Sequence, residues 1–499
     1  MEFGGRHDLP TLGADVNPAS MSRGFEPFAE RMRQAGQPPL AIRIFQANFE
    51  RLAAGQTGLI PEDALAPVAQ LPNADTFDEY AETGCIALAE TCVIKLNGGL
   101  GTSMGMEQAK SLLIAKDGRS FLQICVDQVL HLRRALGIRL PLVLMDSFRT
   151  QADSLAALAR IPELAATQAP VPLSFLQHQV PKVRAADLAP ADLALDPADD
   201  PSLGWCPPGH GDLYAAIQTS GLLATLLASG FRYAFVSNSD NLGAAPDPAI
   251  LGWMVAEGRD FVMECCDRTD ADKKGGHLAT TRGGKGLILR EVAQCPPDDV
   301  PQFQDIARHK YFNTNNLWID LLALRDLLAA RAGDLGLPLI RNLKPLDPTI
   351  PASTPVYQLE TAMGAAIATF GHAGAVRVPR ARFVPVKTTN DLLLLWSDVF
   401  VRSDDGRVAA TSECATNLPC VDLDPRHYRH IEPFTARFPE GPPSLKRATR
   451  FVVRGDVTFP VGLVARGHVE VTRADGAPPI DWNDAHAVPP GLGPERAGP

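Results

Sequence analysis

Basic residues do not predominate in this 499-residue chain. Its 47 lysines and arginines face 57 aspartates and glutamates, a formal charge of −10. A nucleic-acid surface needs a basic face, so that class of partner is set aside. An acidic chain can still bind phosphates through a few focused lysines and backbone amides. Long apolar runs are missing too: the longest, near Leu222–Ala228, is far too short to span a bilayer, and no membrane partner is expected. The opening residues, Met-Glu-Phe-Gly-Gly-Arg-His-Asp, contain no apolar h-region and hence no visible secretory signal. The nine cysteines (85, 92, 125, 206, 265, 266, 295, 414 and 420) form no C-x-x-C pair, and several lie in apolar runs. That excludes a zinc cage and points to reduced, mostly buried thiols in a cytoplasmic protein.

What is present is the composition of a soluble globular protein, 45% hydrophobic and 21% charged, long enough for two or three domains. Residues 1–20 show no period and read as mobile. From Phe25 to about Ala54 the apolar positions fall at helical spacing. Ile42, Phe45, Phe49 and Leu52 make one stripe, Arg43, Glu50 and Arg51 lie largely opposite, and Gly55 and Gly58 end it. This predicts a helical N-terminal region over 1–85 packed on the main domain. Farther on, helical segments (Phe121–Leu136, Gln151–Arg160, Leu213–Leu227, Ala249–Glu257) alternate with strands (Leu142–Met145, Val171–Leu176, Tyr233–Val236, Phe261–Glu264). Such alternation predicts an α/β fold with a doubly wound, mainly parallel sheet, and ligands beyond the carboxyl ends of its strands. Residues 182–204, rich in Ala, Asp and Pro, read as a surface excursion. In the tail Phe451, Val457, Leu463 and Val469 recur every six residues, as do Val453, Phe459, Ala465 and Val471. That lattice predicts a short parallel β-helix, with an ordinary hairpin as the alternative. From Asp475 onward Pro and Gly are frequent, so 475–499 is expected to be disordered.

The densest signal is residues 92–111. An apolar run from Cys92 to Leu96 empties into Gly98, Gly99, Gly101 and Gly105, and Lys110 closes the stretch. A buried strand that runs into glycines presents backbone N–H groups to phosphate. The spacing is G-x-G-x-x-x-G, so the dinucleotide fingerprint fails; no lysine follows Gly105 directly, so Walker A fails as well. Lys110, early in an expected helix, would reach phosphate oxygens at the helix N-terminus. The loop reads as a grip on a nucleoside triphosphate.

Further clusters follow, most of them just after strand candidates. In Trp205–Asp212, His210 is the polar group an irregular loop would hold toward a ligand, and Asp212 suits a helix N-cap. In Val236–Gly243, Asp240 suits magnesium, which takes one or two carboxylates plus substrate phosphates; Asn238 and Asn241 also suit Asx turns. In Asp272–Leu278, Gly275 and Gly276 beside adjacent lysines allow close approach to a ligand. Tyr311–Trp318 sets Asn313, Asn315 and Asn316 in an aromatic frame, fit for sugar hydroxyls or for a polar turn. Glu360 begins an apparent amphipathic helix, where a carboxylate also serves the helix dipole. Lys387 stands at an expected strand end, and alone it reads as a solvated lysine.

In order, KLNGGLGTSMG (95–105) with Lys110, FLQHQVPK (175–182), PPGHGD (207–212), NSDNLG (238–243), DKKGGHLA (272–279), KYFNTNNLW (310–318), QLETAMGAAI (358–367) and VPVKTTNDLL (384–393) resemble the UTP–glucose-1-phosphate uridylyltransferase family. The resemblance covers roughly residues 85–400. It implies a Rossmann-like, GT-A-like nucleotidyltransferase domain over 86–400 with a mixed, mainly parallel sheet. A linker and a short left-handed parallel β-helix would occupy 401–474. It also implies transfer of the uridylyl group of UTP to glucose 1-phosphate, giving UDP-glucose and pyrophosphate, with Mg2+ as cofactor and self-association through the β-helix. By position, the backbone of Leu96, Asn97, Gly98 and Gly99, with Gln177, would meet the uracil. Gly209 would assist, His210 would approach the phosphates, and Asn238 joins this nucleotide set. Asp240 would hold Mg2+, Lys110 would neutralise the triphosphate, and Lys387 would contact the transferred phosphoryl region. Gly275, Asn313, Asn315 and Glu360 would surround the sugar. Two departures stand out: Gln108-Ala109 precede Lys110 where many relatives have Gly-Pro, and the β-helix is short.

The sugar phosphate is already an anionic nucleophile, so the implied chemistry is in-line attack assisted by positioning and charge neutralisation, with no strong base. The nearest alternative is a UDP-sugar or UDP-N-acetylhexosamine pyrophosphorylase. Those relatives tend to begin the loop Ala-Gly-Gly, and Leu96-Asn97-Gly98-Gly99 favours glucose. A non-catalytic nucleotide-sugar-binding regulator would not need Lys110, Lys387 and Asp240 together.

Overall fold

The structure, a computed structural model, describes residues 18–191, 200–283, 286–484 and 488–494. The expected mobile start lies outside them up to residue 17, as do residues 192–199 of the expected surface excursion. That excursion is not wholly superficial, since Lys182, Val183 and Ala191 are buried.

The central sheet has ten strands: β1 (Leu65–Pro67), β2 (Thr91–Asn97), β3 (Leu142–Asp146), β4 (Ser174–Leu176), β5 (Tyr233–Asn238), β6 (Phe261–Asp267), β7 (His277–Thr281), β8 (Leu287–Arg290), β9 (Tyr311–Asp320) and β10 (Ala373–Arg377). Strands β4, β3, β2 and β5 lie side by side in parallel. β9 enters antiparallel between β5 and β6, and β6 pairs in parallel with β10. β7 meets β9, β1 and β8 antiparallel. The sheet is therefore mixed and mainly parallel, not simply doubly wound. β9 contains the stretch 311–318 that also suited a polar turn. It is a strand because Tyr311, Phe312, Leu317, Trp318 and Ile319 are buried along both faces.

Alternation along each strand builds two cores. Ile94, Val143, Val236 and Ile319 face helices Leu213–Thr219, Leu222–Ala228 and Leu321–Ala330. Val93, Leu144, Phe235 and Trp318 face helices Ala81–Leu88, Phe121–Leu136 and Pro248–Ala256. The N-terminal helices Pro18–Gln34 and Pro39–Ala53 cluster Phe25, Phe28, Phe45 and Phe49 against Val180, Tyr357 and Leu359. Region 1–85 is not only a helical layer, since it supplies β1 and the helix Ala81–Leu88 to the main domain.

At the C-terminus Cys420–Leu423, Ser444–Arg454 and Leu463–Thr472 run parallel, and Leu492–Pro494 closes the sheet antiparallel. Both six-residue series are buried. Part of the tail expected to be disordered is ordered here, because Ile480, Trp482, Val488 and Leu492 cover the sheet and the Trp482 ring lies on Phe459. This C-terminal core also takes in Met104, Leu113, Ala115, Val384, Val386 and Leu392, so a boundary drawn at residue 400 cuts through one hydrophobic cluster. Helix Phe121–Leu136 joins the two parts: Leu122, Val126 and Val129 face the sheet, while Phe121, Ile124 and Cys125 face the C-terminal core. Among the described residues the nine cysteines are all free thiols, and no helix is long and apolar enough to cross a membrane.

Candidate functional site

A cleft of about 280 Å³ opens beyond the carboxyl ends of β2, β3 and β5. Nine of the expected residues line it: Leu96, Gly98, Gly99, Lys110, Gln177, Gly209, His210, Asn238 and Asp240. Gly98 is pressed against Gln177 so closely that a Cβ would overlap the Gln177 amide. The Gln177 N–H donates to the Asp146 carbonyl at 2.8 Å. The next residue is fixed by Asp212, whose carboxylate accepts the His178 N–H at 2.6 Å and lies 2.7 Å from His178 Nδ1. Asp212 therefore ties two loops together and does not cap the helix it precedes. Gly209 has φ +80° and abuts the Thr361 backbone, so neither its conformation nor its space admits a side chain. His210 Nδ1 accepts the Met363 N–H at 2.9 Å, and burial lowers its pKa to about 4. A neutral ring whose Nδ1 accepts carries its proton on Nε2, which makes His210 a donor.

Asn97, expected to act through its backbone, is not among the residues that line the cleft. Its amide is buried and donates to Asp146 Oδ1 at 2.7 Å and Ser154 Oγ at 2.8 Å, so its side chain serves the scaffold.

The charged end of the cleft pairs Lys110 Nζ with Asp240 Oδ2 at 2.6 Å; the same ammonium donates to the Val386 carbonyl. Lys110 does not open a helix. Lys110–Leu112 is a single 3-10 turn, followed by the hairpin Ile114–Lys116/Arg119–Ser120. The hairpin turns on Asp117-Gly118, both at positive φ. The helix starts only at Phe121, where Ser120 and Gln123 form a capping box. No helix N-terminus therefore stands behind Lys110, and the positive charge at this end of the cleft is that of its ammonium alone.

Asp240 sits in the turn after β5. Asn241 locks that turn, since its amide donates to Asn316 Oδ1 and to the Arg382 carbonyl, each at 3.1 Å, and its own oxygen accepts the Val384 N–H at 2.8 Å. Beneath it Arg382 makes a two-point ion pair with Glu264 at 2.6 and 2.7 Å, and Glu264 also accepts from Asn316 and Trp318. A buried pair satisfied on this many sides fixes geometry.

Lys387 is exposed and lies outside the cleft lining. No strand ends there: Thr388 and Asp391 form a capping box that opens helix Thr389–Trp396, and the Lys387 N–H donates to Asp391 at 2.9 Å. The Thr388-x-x-Asp391 spacing carried that signal. The helix is gripped at its far end by Lys116, buried, whose Nζ donates to the Ser397 carbonyl at 2.6 Å and the Trp396 carbonyl at 3.2 Å.

A second cluster gathers around Asn313. In β9 the pairing with β6 slips between Glu264 and Cys265, leaving Thr314 and Asn315 as a bulge, and Asn315 takes φ +58°. Asn313 Nδ2 donates to Asn315 Oδ1 at 2.8 Å, and the Asn315 N–H returns to Asn313 Oδ1 at 3.0 Å. Gly275 lies under the Phe312 ring and Gly276 against the Glu291 carboxylate. Burial raises the pKa of Glu291, while the Lys387 charge and a hydrogen bond from Asn313 lower it. Glu291 was missed in the sequence, although a carboxylate just past a strand is the rule that singled out Asp240. Glu360 is not in this cluster. It ends the strand Pro355–Glu360, paired along Ile340–Pro345, so it begins no helix; burial raises its pKa, and Asn342 is its hydrogen-bond partner. Among the described residues no three or more His, Cys, Asp or Glu side chains are grouped to hold a metal.

The profile of the UTP–glucose-1-phosphate uridylyltransferase family matches residues 42–466. The UTP–glucose-1-phosphate uridylyltransferase of Solanum tuberosum is 39% identical over 419 residues, which is 84% of this chain and 82% of the relative. A probable UTP–glucose-1-phosphate uridylyltransferase of Schizosaccharomyces pombe is 36% identical over 448 residues, 88% of this chain and 86% of the relative. Among solved structures, a variant of the UDP-glucose pyrophosphorylase of Leishmania major in complex with UDP-glucose superposes with a TM-score of 0.84 at 43% identity, covering 93% of this chain and 97% of that one. The UDP-glucose phosphorylase of Trypanosoma brucei gives 0.83 at 40% identity, covering 91% and 96%. With similarity this extensive in both sequence and fold, the chain belongs to the UTP–glucose-1-phosphate uridylyltransferase family.

Proposed function

We propose that this protein catalyses UTP plus glucose 1-phosphate to UDP-glucose plus pyrophosphate, in a cytoplasmic setting. The observation that carries the reading is the Lys110–Asp240 pair at one end of a cleft whose other end is the Gly98–Gln177–Gly209 surface. That surface has glycines without side chains to hold a ring away and, in Gln177, the amide donor and acceptor that a uracil edge needs. Lys110 would take the negative charge of the triphosphate once it turns from Asp240 toward the ligand. His210, neutral and protonated on Nε2, would donate to a phosphate oxygen. Asn313, Asn315 and Glu291 would hold sugar hydroxyls, and Lys387 beside Glu291 would meet the sugar phosphate.

The residues fit magnesium: Asp240 is a single hard oxygen donor at the cleft, and Mg2+ is usually held by one or two carboxylates with phosphates completing its shell. Asp240 would hold it, and when bound it would neutralise charge on the phosphates. The sugar-phosphate oxygen attacks the α-phosphorus in line and pyrophosphate departs. The chain contributes alignment and positive charge, and no side chain removes a proton.

The C-terminal sheet reads as the start of a left-handed β-helix, because Phe451 pairs with Val469 and Val453 with Val471, each pair eighteen residues and thus three hexads apart. Self-association would use this sheet, and light scattering measures it. The test of the activity is pyrophosphate release from UTP and Mg2+ with a panel of sugar 1-phosphates. Glucose 1-phosphate is expected to be the best substrate; release only with an N-acetylhexosamine 1-phosphate would overturn the assignment.

A further inference from the structure

Lys95 opens the first motif, and nothing in the mechanism above uses it. Strand alternation sends it to the face opposite its neighbour Leu96, which lines the cleft. Lys95 is 1% exposed. Its Nζ donates to Ser237 Oγ at 2.8 Å and to the Ala244 carbonyl at 2.7 Å, and stands 5.8 Å from the centre of the Phe235 ring. Both acceptors are neutral oxygens, a poor exchange for the hydration of an ammonium. A methionine would fill similar space without that cost. Burial lowers the lysine's pKa, and the fields of Cys125, Glu264 and Asp240 work against that and against Arg382.

What the two acceptors have in common is their place in the chain. Ser237, next to last in β5, and Ala244 bracket the turn that carries Asp240. Inside the turn the Asn241 N–H reaches the Asn238 carbonyl and the Ala244 N–H the Asn241 carbonyl, each at 3.2 Å. Cys125 Sγ approaches the Ser239 carbonyl from below at 3.6 Å. These bonds shape the turn but do not join its ends.

We infer that Lys95 is a positioning residue: its ammonium, strung between Ser237 Oγ and the Ala244 carbonyl, draws the ends of the turn together and sets where the Asp240 carboxylate meets Lys110. The inference rests on the reading of Asp240 given above.

The test is a double-mutant cycle on UDP-glucose synthesis with Lys95→Met, Asp240→Asn and the pair. Lys95→Met is expected to lower kcat about tenfold or more, with KM for both substrates within about threefold of wild type. Because Lys95 acts through Asp240, the double variant is expected to be no slower than Asp240→Asn alone; residues that act independently would multiply their losses. Multiplied losses, or a wild-type rate in Lys95→Met, overturn the role of Lys95. A wild-type rate in Asp240→Asn overturns the reading of Asp240 and the inference with it. If Lys95→Met does not fold, Ser237→Ala keeps the lysine, removes one acceptor, and is read against Asp240→Asn in the same way.

Discussion

Gln177 and Lys110 line one cleft but belong to different hydrophobic cores. Gln177, Gly98, Gly209 and His210 rest on the central sheet, on the core that holds Ile94, Val143, Phe175, Leu213 and Met363. Lys110 and the Val386–Lys387 segment rest on the core that holds Met104, Leu113, Val386 and Leu392 together with Phe434, Phe451 and Val469. Packed cores are close to rigid and respond as units. The glycine-lined wall, proposed above to face the base, and the charge-bearing wall are therefore separable, and a change in one core is expected to alter one half of the proposed function.

The largest effect expected is on the charge-bearing wall. Lys110→Ala should lower kcat by about 10²–10³-fold, the cost of removing one preorganised charge from a reacting site. UDP-glucose affinity, measured by calorimetry, should stay within about threefold, since the lost group belongs to the other wall. A matching loss of affinity would erase the distinction between the walls. Leu392→Ala, at a fully buried position in the second core on the helix after Lys387, should cost about 2–5 kcal/mol of stability in urea unfolding. Below the unfolding range it should depress kcat more than KM for UTP. Gly98→Ala attacks the opposite wall. Its Cβ meets the Gln177 amide, and an affinity loss of about tenfold for uridine nucleotides is expected with kcat near wild type, as for uniform binding.

The smallest effect is acid sensitivity on the sheet side. Burial lowers the pKa of His210 to about 4 and of His277 to about 2. Both rings stay neutral in the folded protein while the unfolded chain gains protons near pH 6.5. Stability is then full above about pH 6.5 and falls as pH drops below it, by up to about 1.4 kcal/mol per pH unit per ring. Urea midpoints at pH 7.5 and 5.5 measure the slope, and His277→Leu should cut it by about half, leaving the His210 share.

The base-facing wall was legible because it is local. The glycines after β2 and the Pro-Pro-Gly-His-Gly loop are each short segments that end a strand, and the rule about carboxyl ends of strands places them together, with Asp240 across the cleft by the same rule. The charge-bearing wall was harder. The Asp117-Gly118 turn was a readable hairpin signal that argued against a helix at Lys110. What no local pattern carried is that Lys116 reaches the Ser397 carbonyl across 281 positions, which assigns the lysines to the second core. Glu62 was equally out of reach. It comes from the N-terminal region and accepts from Arg290 at 2.6 Å, Arg308 at 2.7 Å and His309 at 3.0 Å, behind the Glu291 segment. Asn313 and Asn315 were singled out, but the bulge that turns them toward each other depends on pairing with β6, a property of the neighbour strand.

The helix Thr389–Trp396 is held at both ends, by its capping box beside Lys387 and by Lys116 at its last carbonyls. A rod fixed at both ends acts as a gauge block. Each residue of an α-helix adds about 1.5 Å and about 100° of turn. One residue inserted or deleted between Thr389 and Trp396 would turn the two anchored ends against each other by more than a quarter of a circle. Lys110 holds the Val386 carbonyl before the helix and Lys116 holds its last carbonyls, so the number of residues in the helix sets how these two lysine anchors are phased.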